Sequence, residues 1–74
     1  MLRVRLFRNN DTLFEGMASR VILPGAEGEL AVLSAHAPML CALAHGTVEI
    51  DDTRVPIRHG LARVERNVLT VVAR

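Results

Sequence analysis

The sequence predicts an all-β fold, a flattened sandwich of about eight to ten short strands in two sheets with no long helix. Three observations predict it. Apolar and polar residues alternate in short runs, clusters of Gly, Pro, Asn and Asp separate these runs, and no stretch repeats its apolar residues at helical spacing over a helix's length. The 74 residues form one predicted domain, 1–74, whose core is aliphatic because only Phe7 and Phe14 are aromatic.

The N-terminal part predicts a strand, a short extended piece and a central strand. Residues 2–7 alternate leucine or valine with arginine or phenylalanine, the pattern of a strand with one solvated face. A polar turn follows at 8–11. Residues 12–15 form a short extended piece, and Gly16 is expected to make a bulge or bend. Residues 17–23 are largely apolar on both faces, Arg20 excepted, which predicts one strand in the middle of a sheet.

The next segment predicts a hairpin and a loop. Pro24 and Gly25 are expected to form its turn, because Pro presets φ and Gly accepts the positive φ that often follows. Gly28 supplies a second permissive position. Residues 30–33 are predicted to pair with the strand that precedes this turn. A second loop, 34–38, carries a histidine at its centre.

Turn signals divide the C-terminal half into further strands. The apolar run 39–44 fits either a helical turn or a buried strand, and the strand is preferred because Pro38 and Gly46 leave little room for a helix. Polar turns are expected at 51–53 and 66–67, and Pro56 marks either an edge strand or a strand break because it lacks a backbone donor. The remaining strands are predicted at 47–50, 54–59, 60–65 and 68–73.

Composition argues against several classes of function. The formal charge is +1 and the arginines are dispersed along the sequence. Proteins that bind nucleic acids usually carry a clustered basic stripe or aromatic side chains that stack on bases, and this sequence has neither. No nucleic-acid partner is therefore expected. The single cysteine, Cys41, rules out an internal disulfide and fits a reducing compartment. No apolar stretch approaches the roughly 20 residues of a membrane helix, and the N-terminus has no signal-peptide core. A soluble protein that is not exported is expected.

The histidines and the cysteine do not predict a metal or a nucleophile. His36, Cys41, His45 and His59 lack the close pairing that zinc ligands usually show, so neither a metal nor any other cofactor is expected. The apolar neighbours of Cys41 should raise its pKa and leave the thiol inert.

The acidic loop does not predict catalysis either. Glu27 and Glu29 are expected to be solvated carboxylates with no apolar pocket to raise a pKa. Gly25 and Gly28 are not followed by the Gly-Lys-Ser/Thr of a phosphate-binding loop. No active site is predicted.

Two motifs in order resemble one family. Leu-Pro-Gly-Ala-Glu-Gly-Glu-Leu at 23–30, followed by His-Ala-Pro-Met-Leu at 36–40, resembles the epsilon subunit of F-type ATP synthases, called delta in mitochondria. Leu-Phe-Glu-Gly at 13–16 and the paired segments 60–65 and 67–71 look like the same family's other strands. The resemblance spans nearly the whole chain.

The resemblance implies a non-catalytic rotor subunit at the foot of the central stalk. In that family the domain grips the gamma subunit and rests on the c-subunit ring, coupling ion-driven rotation to ATP synthesis at the cytoplasmic face of the bacterial membrane. Carried over by motif, Glu29 and His36 are expected to touch these partners. The residues expected to shape the same surface are Glu27, Gly28, Ala37 and Pro38.

The sequence also departs from the family. The family usually has glycine where Ala31 stands, Pro-Gly where Ser34-Ala35 stands, and often a second glycine at the position of His59. The first two changes are expected to stiffen the loop or shift its approach to the ring. The family's C-terminal helical hairpin is expected to be absent from this chain. The alternative function is an independent small β module that binds a ligand or a metal.

Overall fold

The computed structural model describes all residues, 1–74, and contains nine strands and no helix. The predicted all-β class and strand number are confirmed. No helix long and apolar enough to cross a membrane is present. The strands are β1 (Leu2–Arg8), β2 (Asp11–Ala18), β3 (Arg20–Gly25), β4 (Gly28–Leu33), β5 (Met39–Leu43), β6 (Gly46–Ile50), β7 (Thr53–Ile57), β8 (Gly60–Glu65) and β9 (Val68–Ala73).

All nine strands belong to one hydrogen-bonded sheet, not to two separate sheets. Its order is β2-β1-β9-β8-β5-β3-β6-β7, with β4 on the other side of β3. Only β1 and β9 pair in parallel. The two halves are joined at the bridge between Gly25 and Leu43. The sheet curls there, so its halves form the two layers of the sandwich.

The core lies inside the curled sheet and draws on every strand. Its 17 buried residues are all apolar, and no buried side-chain N or O atom lacks a hydrogen-bond partner. In β1, Leu2, Val4 and Leu6 are fully buried while Arg3 and Arg5 are exposed, as the alternation predicts. Burial of aliphatic side chains is therefore the main stabilising term, since each contributes about 1.5–3 kcal/mol.

Three predicted details in the first third of the chain are wrong. The segment 17–23 is not one strand: β2 ends at Ala18 and β3 begins at Arg20. The carboxylate of Asp51 accepts hydrogen bonds from the backbone N–H groups of Ser19 and Arg20, at 3.0–3.1 Å. These two N–H groups therefore do not donate to a neighbouring strand, and the strand is interrupted at Ser19. The chain changes partner there, from β1 to β4 and β6.

The predicted bulge and turn also lie elsewhere. Gly16 pairs in register with Val4, and the irregularity of β2 falls at Leu13. Pro24 and Gly25 continue β3 rather than turning, and the turn is formed by residues 26–27. A Cβ at Gly25 would lie 2.5 Å from the carbonyl oxygen of Gly28. Glycine is therefore required at this position because the two strands approach closely, and not because the backbone adopts a positive φ.

The other turns and strands lie close to their predicted positions. Residues 39–43 form a strand, the Asp51-Asp52 and Arg66-Asn67 turns join β6 to β7 and β8 to β9, and β7 with Pro56 is an edge strand. Asp51, Arg66 and Asn67 adopt positive φ in these turns. Positive φ at these turns matches the right-handed twist of the flanking strands.

Candidate partner-binding surface

The acidic tip, residues 26–29, closes the β3–β4 hairpin. Gly25 pairs with Gly28 across the turn, and Gly28 has a φ of 130°, a conformation that favours glycine. Glu27, Gly28 and Glu29 are all exposed, as the sequence predicts. The tip therefore presents two solvated carboxylates at the end of a hairpin.

The sheet holds the acidic tip in place from one side. The backbone N–H of Ala26 donates to the carbonyl of Ala42 at 2.9 Å, and that of Ala44 donates to the carbonyl of Pro24 at 2.8 Å. Both bonds span the corner where the sheet curls. Carboxylates on a hairpin fixed in this way lose little conformational freedom when a partner binds.

The histidine corner, residues 34–38, connects β4 to β5. His36 is half-buried and its backbone N–H donates to the carbonyl of Leu33 at 3.2 Å. Its Nδ1 lies 2.7 Å from the carbonyl oxygen of Ala37, so Nδ1 carries the proton. Ala37 and Pro38 are exposed. The corner thus presents one oriented imidazole beside two small apolar residues.

Asn67 fixes the histidine corner from the β8–β9 turn. Its Oδ1 accepts a hydrogen bond from the backbone N–H of Ala35 at 2.9 Å, and its Nδ2 donates to the carbonyl of Met1 at 2.7 Å. The sequence pattern predicts only a turn at Asn67. Its bridging role depends on strand pairing between distant segments, which a local pattern does not reveal.

Replacing Ala35 with glycine is expected to stabilise the fold. Ala35 has a φ of 61°, a conformation that strains a residue with a Cβ by about 1–2 kcal/mol, and glycine would remove this strain. Glycine also makes the unfolded chain more flexible, which lowers the stability of the fold by about 0.4–1 kcal/mol. We expect a net gain of about 0.5 kcal/mol, measured by thermal unfolding. Ala31→Gly, within β4, is the control and should destabilise by about 0.5–1 kcal/mol. Equal losses in both variants would contradict the assignment of strain to Ala35.

The acidic tip and the histidine corner are separate places on the surface. Glu29 lies near the start of β4 and Leu33 at its end. An extended strand rises about 3.3 Å per residue, so these two residues are about 13 Å apart, and His36 lies beyond Leu33. No contact joins the tip's carboxylates to the imidazole, so any partner that meets both spots has to span β4.

An apolar row crosses the outer face of four strands. The row consists of Ala42, Leu61, Val72 and Phe7, each paired in register with the next across β5, β8, β9 and β1. Leu61 and Val72 are more than half exposed, although both are large apolar side chains. The row is about 14 Å long, three inter-strand spacings. Contiguous exposed apolar side chains mark interaction sites, whereas isolated ones do not.

A groove connects the acidic tip to the apolar row. It has a volume of about 520 Å³ and is lined by the tip, by Leu30 and by Leu40 to Ala42 of β5. Leu40 is 71% exposed, the most exposed large apolar side chain of the chain. The groove therefore lies between two kinds of surface, with carboxylates at the tip and apolar side chains along the row.

The sulfur and the imidazoles do not converge. Cys41 packs against the core, and its partial burial raises the pKa of the thiol, as the sequence predicts. His36 lies in the histidine corner, while His45 and His59 line a groove elsewhere. No group of three or more His, Cys, Asp or Glu side chains is arranged to hold a metal ion.

The comparison with known protein families decides the assignment. Residues 1–74 match the family model described as the β-sandwich domain of the ATP synthase delta/epsilon chain. The chain belongs to this family. The predicted resemblance is confirmed, and the alternative of an independent ligand-binding or metal-binding module gains no support.

Individual ATP synthase epsilon chains and solved structures agree with this family. The epsilon chain of Synechococcus sp. PCC 6716 is 36% identical over 76 residues, covering 97% of this chain and 55% of that protein. The chain thus spans about half the length of such curated relatives. Chains with the same fold occur in the cryo-EM structures of two mitochondrial ATP synthases. The Euglena gracilis chain has a TM-score of 0.87 and 22% identity, and the match covers 97% of this chain and 49% of that one. The Tetrahymena thermophila chain has a TM-score of 0.78 and 17% identity, and the match covers 97% of this chain and 62% of that one.

Proposed function

We propose that this chain is a non-catalytic rotor subunit of the central stalk of an F-type ATP synthase. It links the gamma subunit to the c-subunit ring and couples ion-driven rotation to ATP synthesis, at the cytoplasmic face of a bacterial membrane. The observation that carries the proposal is the match to the delta/epsilon family along residues 1–74. The Tetrahymena structure, described as central stalk and c-ring, contains a chain of this fold.

The chain's two kinds of surface suit two partners. The acidic tip and the histidine corner carry two exposed carboxylates and one half-buried imidazole, and hydrogen bonds to the backbone fix both places. Their residues are Glu27, Gly28, Glu29, His36, Ala37 and Pro38. They are suited to basic and polar loops of the ring, where charge complementarity sets register and specificity. The apolar row is suited to an elongated apolar partner face, which we assign to the gamma subunit.

A coupling role without catalysis fits the chemistry of the side chains. The raised pKa of Cys41 disfavours the thiolate, which is the nucleophilic form. The carboxylates of Glu27 and Glu29 are exposed to water, where no apolar pocket adapts them for proton transfer. The subunit therefore contributes rigid contact surfaces, and the reaction belongs to other parts of the complex.

Charge reversal at the tip and loss of the imidazole are expected to weaken binding to the ring. Glu29→Lys should cost about 1–2 kcal/mol, about 5- to 30-fold in affinity, and His36→Ala about 1 kcal/mol. Because about 13 Å of β4 separates Glu29 from Leu33, where the histidine corner begins, and no contact joins Glu29 to His36, their effects should add in the double variant. Affinity for a reconstituted gamma subunit and c-subunit ring, and ion-driven ATP synthesis, are the measurements.

Asp52→Lys is the matched control, since Asp52 is an exposed carboxylate in the β6–β7 turn, outside the acidic tip. It should leave affinity and coupling unchanged. Circular dichroism should show the same fold and thermal midpoint in every variant. Wild-type affinity and coupling in the double variant would refute the assignment of these residues.

A further inference from the structure

A second groove, at a different end of the sheet, is lined almost wholly by basic and polar side chains. We call it the basic groove; its volume is about 630 Å³ and its basic or polar lining residues are Arg8, Asn9, His45, Arg58, His59 and Arg74. No Asp or Glu side chain lines it. Three of the chain's nine arginines meet here, although the net charge of the whole chain is only +1.

Strand topology, not sequence proximity, assembles the basic groove. Arg8 ends β1, His45 precedes β6, Arg58 and His59 join β7 to β8, and Arg74 follows β9. The backbone N–H of Arg74 donates to the carbonyl of His59 at 2.9 Å, so two of these segments are held together. Groups from the ends of five strands converge on one concavity.

None of the side chains that line the basic groove forms an ion pair with an Asp or Glu side chain of the chain. The two ion pairs of the structure are Arg5 with Glu15 and Arg54 with Glu49, both elsewhere. Arg8 donates through Nη1 to the carbonyl of Pro56 at 2.8 Å, which orients the guanidinium and leaves its other donors free. The nearest carboxylate by strand register, Asp11, lies opposite Arg8 and outside the groove lining.

We propose that the basic groove binds a multiply charged oxyanion of the phosphate class. Guanidinium groups present planar pairs of N–H donors that match phosphate oxygens, and charge-assisted bonds of this kind are about twice as strong as neutral ones. The groove's volume lies within the roughly 300–1,000 Å³ of small-molecule sites. Its polar lining suits a charged ligand, and its concave shape favours a compact anion over an extended acidic peptide.

The phosphate group can belong to a free anion or to a lipid headgroup, and the proposal does not rest on the rotor role. The test is calorimetric titration of the chain with inorganic pyrophosphate, and co-sedimentation with vesicles of phosphatidylcholine with and without phosphatidylglycerol. Arg58→Gln removes an exposed guanidinium from the groove. Arg63→Gln, on the outer face of β8, removes the same charge elsewhere and is the control.

Pyrophosphate should bind at one site, and Arg58→Gln should weaken it by about tenfold or more while Arg63→Gln changes it less than about twofold. Vesicle binding that needs phosphatidylglycerol and is lost in Arg58→Gln, without pyrophosphate binding, would assign the phosphate to a headgroup. Absence of both, or equal losses in the two variants, would overturn the proposal, as would binding confined to an acidic protein partner.

Discussion

Replacing Leu61 with glutamate is expected to weaken binding to the gamma subunit by about 30-fold or more. Leu61 lies in the middle of the apolar row, between Ala42 and Val72, and is more than half exposed in the free chain. A carboxylate at this position would be buried without a partner in the complex. Loss of a side chain at the centre of an interface typically costs about 2 kcal/mol or more of binding free energy. Surface plasmon resonance with immobilised gamma subunit is the measurement.

Met17→Glu is the matched control for this variant. Met17 is 47% exposed on edge strand β2, paired with Arg3. Arg3 lies about 13 Å along β1 from Phe7, at the end of the apolar row. Met17→Glu should bind within about twofold of wild type, and both variants should unfold at the wild-type temperature. Equal losses of affinity would show that the whole outer face matters and not the row.

Replacing Gly60 with alanine is expected to destabilise the fold by about 2–3 kcal/mol. A Cβ at Gly60 would lie 2.6 Å from the carbonyl oxygen of Val72 and 2.9 Å from the Cα of Ala73, both backbone atoms that cannot rotate away. β8 would have to separate from β9 locally, and overpacking of this kind costs about 1–3 kcal/mol. For a domain of this size the thermal midpoint should fall by about 8–24 °C.

Gly16→Ala provides the comparison, because the same added methyl group meets only the Phe14 ring at 3.8 Å, an ordinary contact. Its midpoint should stay within about 4 °C of wild type, which corresponds to about 0.5 kcal/mol. A thermal scan that gave both alanine variants the same midpoint would contradict the close packing of β8 on β9 at Gly60.

Local patterns predicted most of the strands because most strand ends coincide with a local signal. The alternation of leucine or valine with arginine in β1 assigns its faces directly, and Pro56 marks an edge strand because it has no backbone donor. The Asp51 and Asn67 turns carry residues that tolerate positive φ. In these places the local preference and the final fold agree.

The errors arose where tertiary bonds override local preference. The break at Ser19 depends on the Asp51 carboxylate, which is 32 residues away in sequence. A glycine at position 25 suggests a turn, yet β3 continues through it. Glycine is needed there because the carbonyl oxygen of Gly28 approaches too closely for a Cβ. Neither cause is visible in a short window of sequence.

The candidate surface was predictable only in part. The acidic tip and the histidine corner were predictable as surface loops because each is a contiguous motif. The apolar row was not, because Ala42, Leu61, Val72 and Phe7 come from four strands and only the pairing register places them side by side. The separation of the tip from the corner likewise follows from the length of β4.

Binding of the wild-type chain to a purified gamma subunit, measured by calorimetry with and without the c-subunit ring, tests the rotor assignment most directly. We expect one copy of the chain to bind each gamma subunit, and the ring to increase the affinity through the acidic tip and the histidine corner. No binding to gamma subunit, ring or their complex would contradict the assignment.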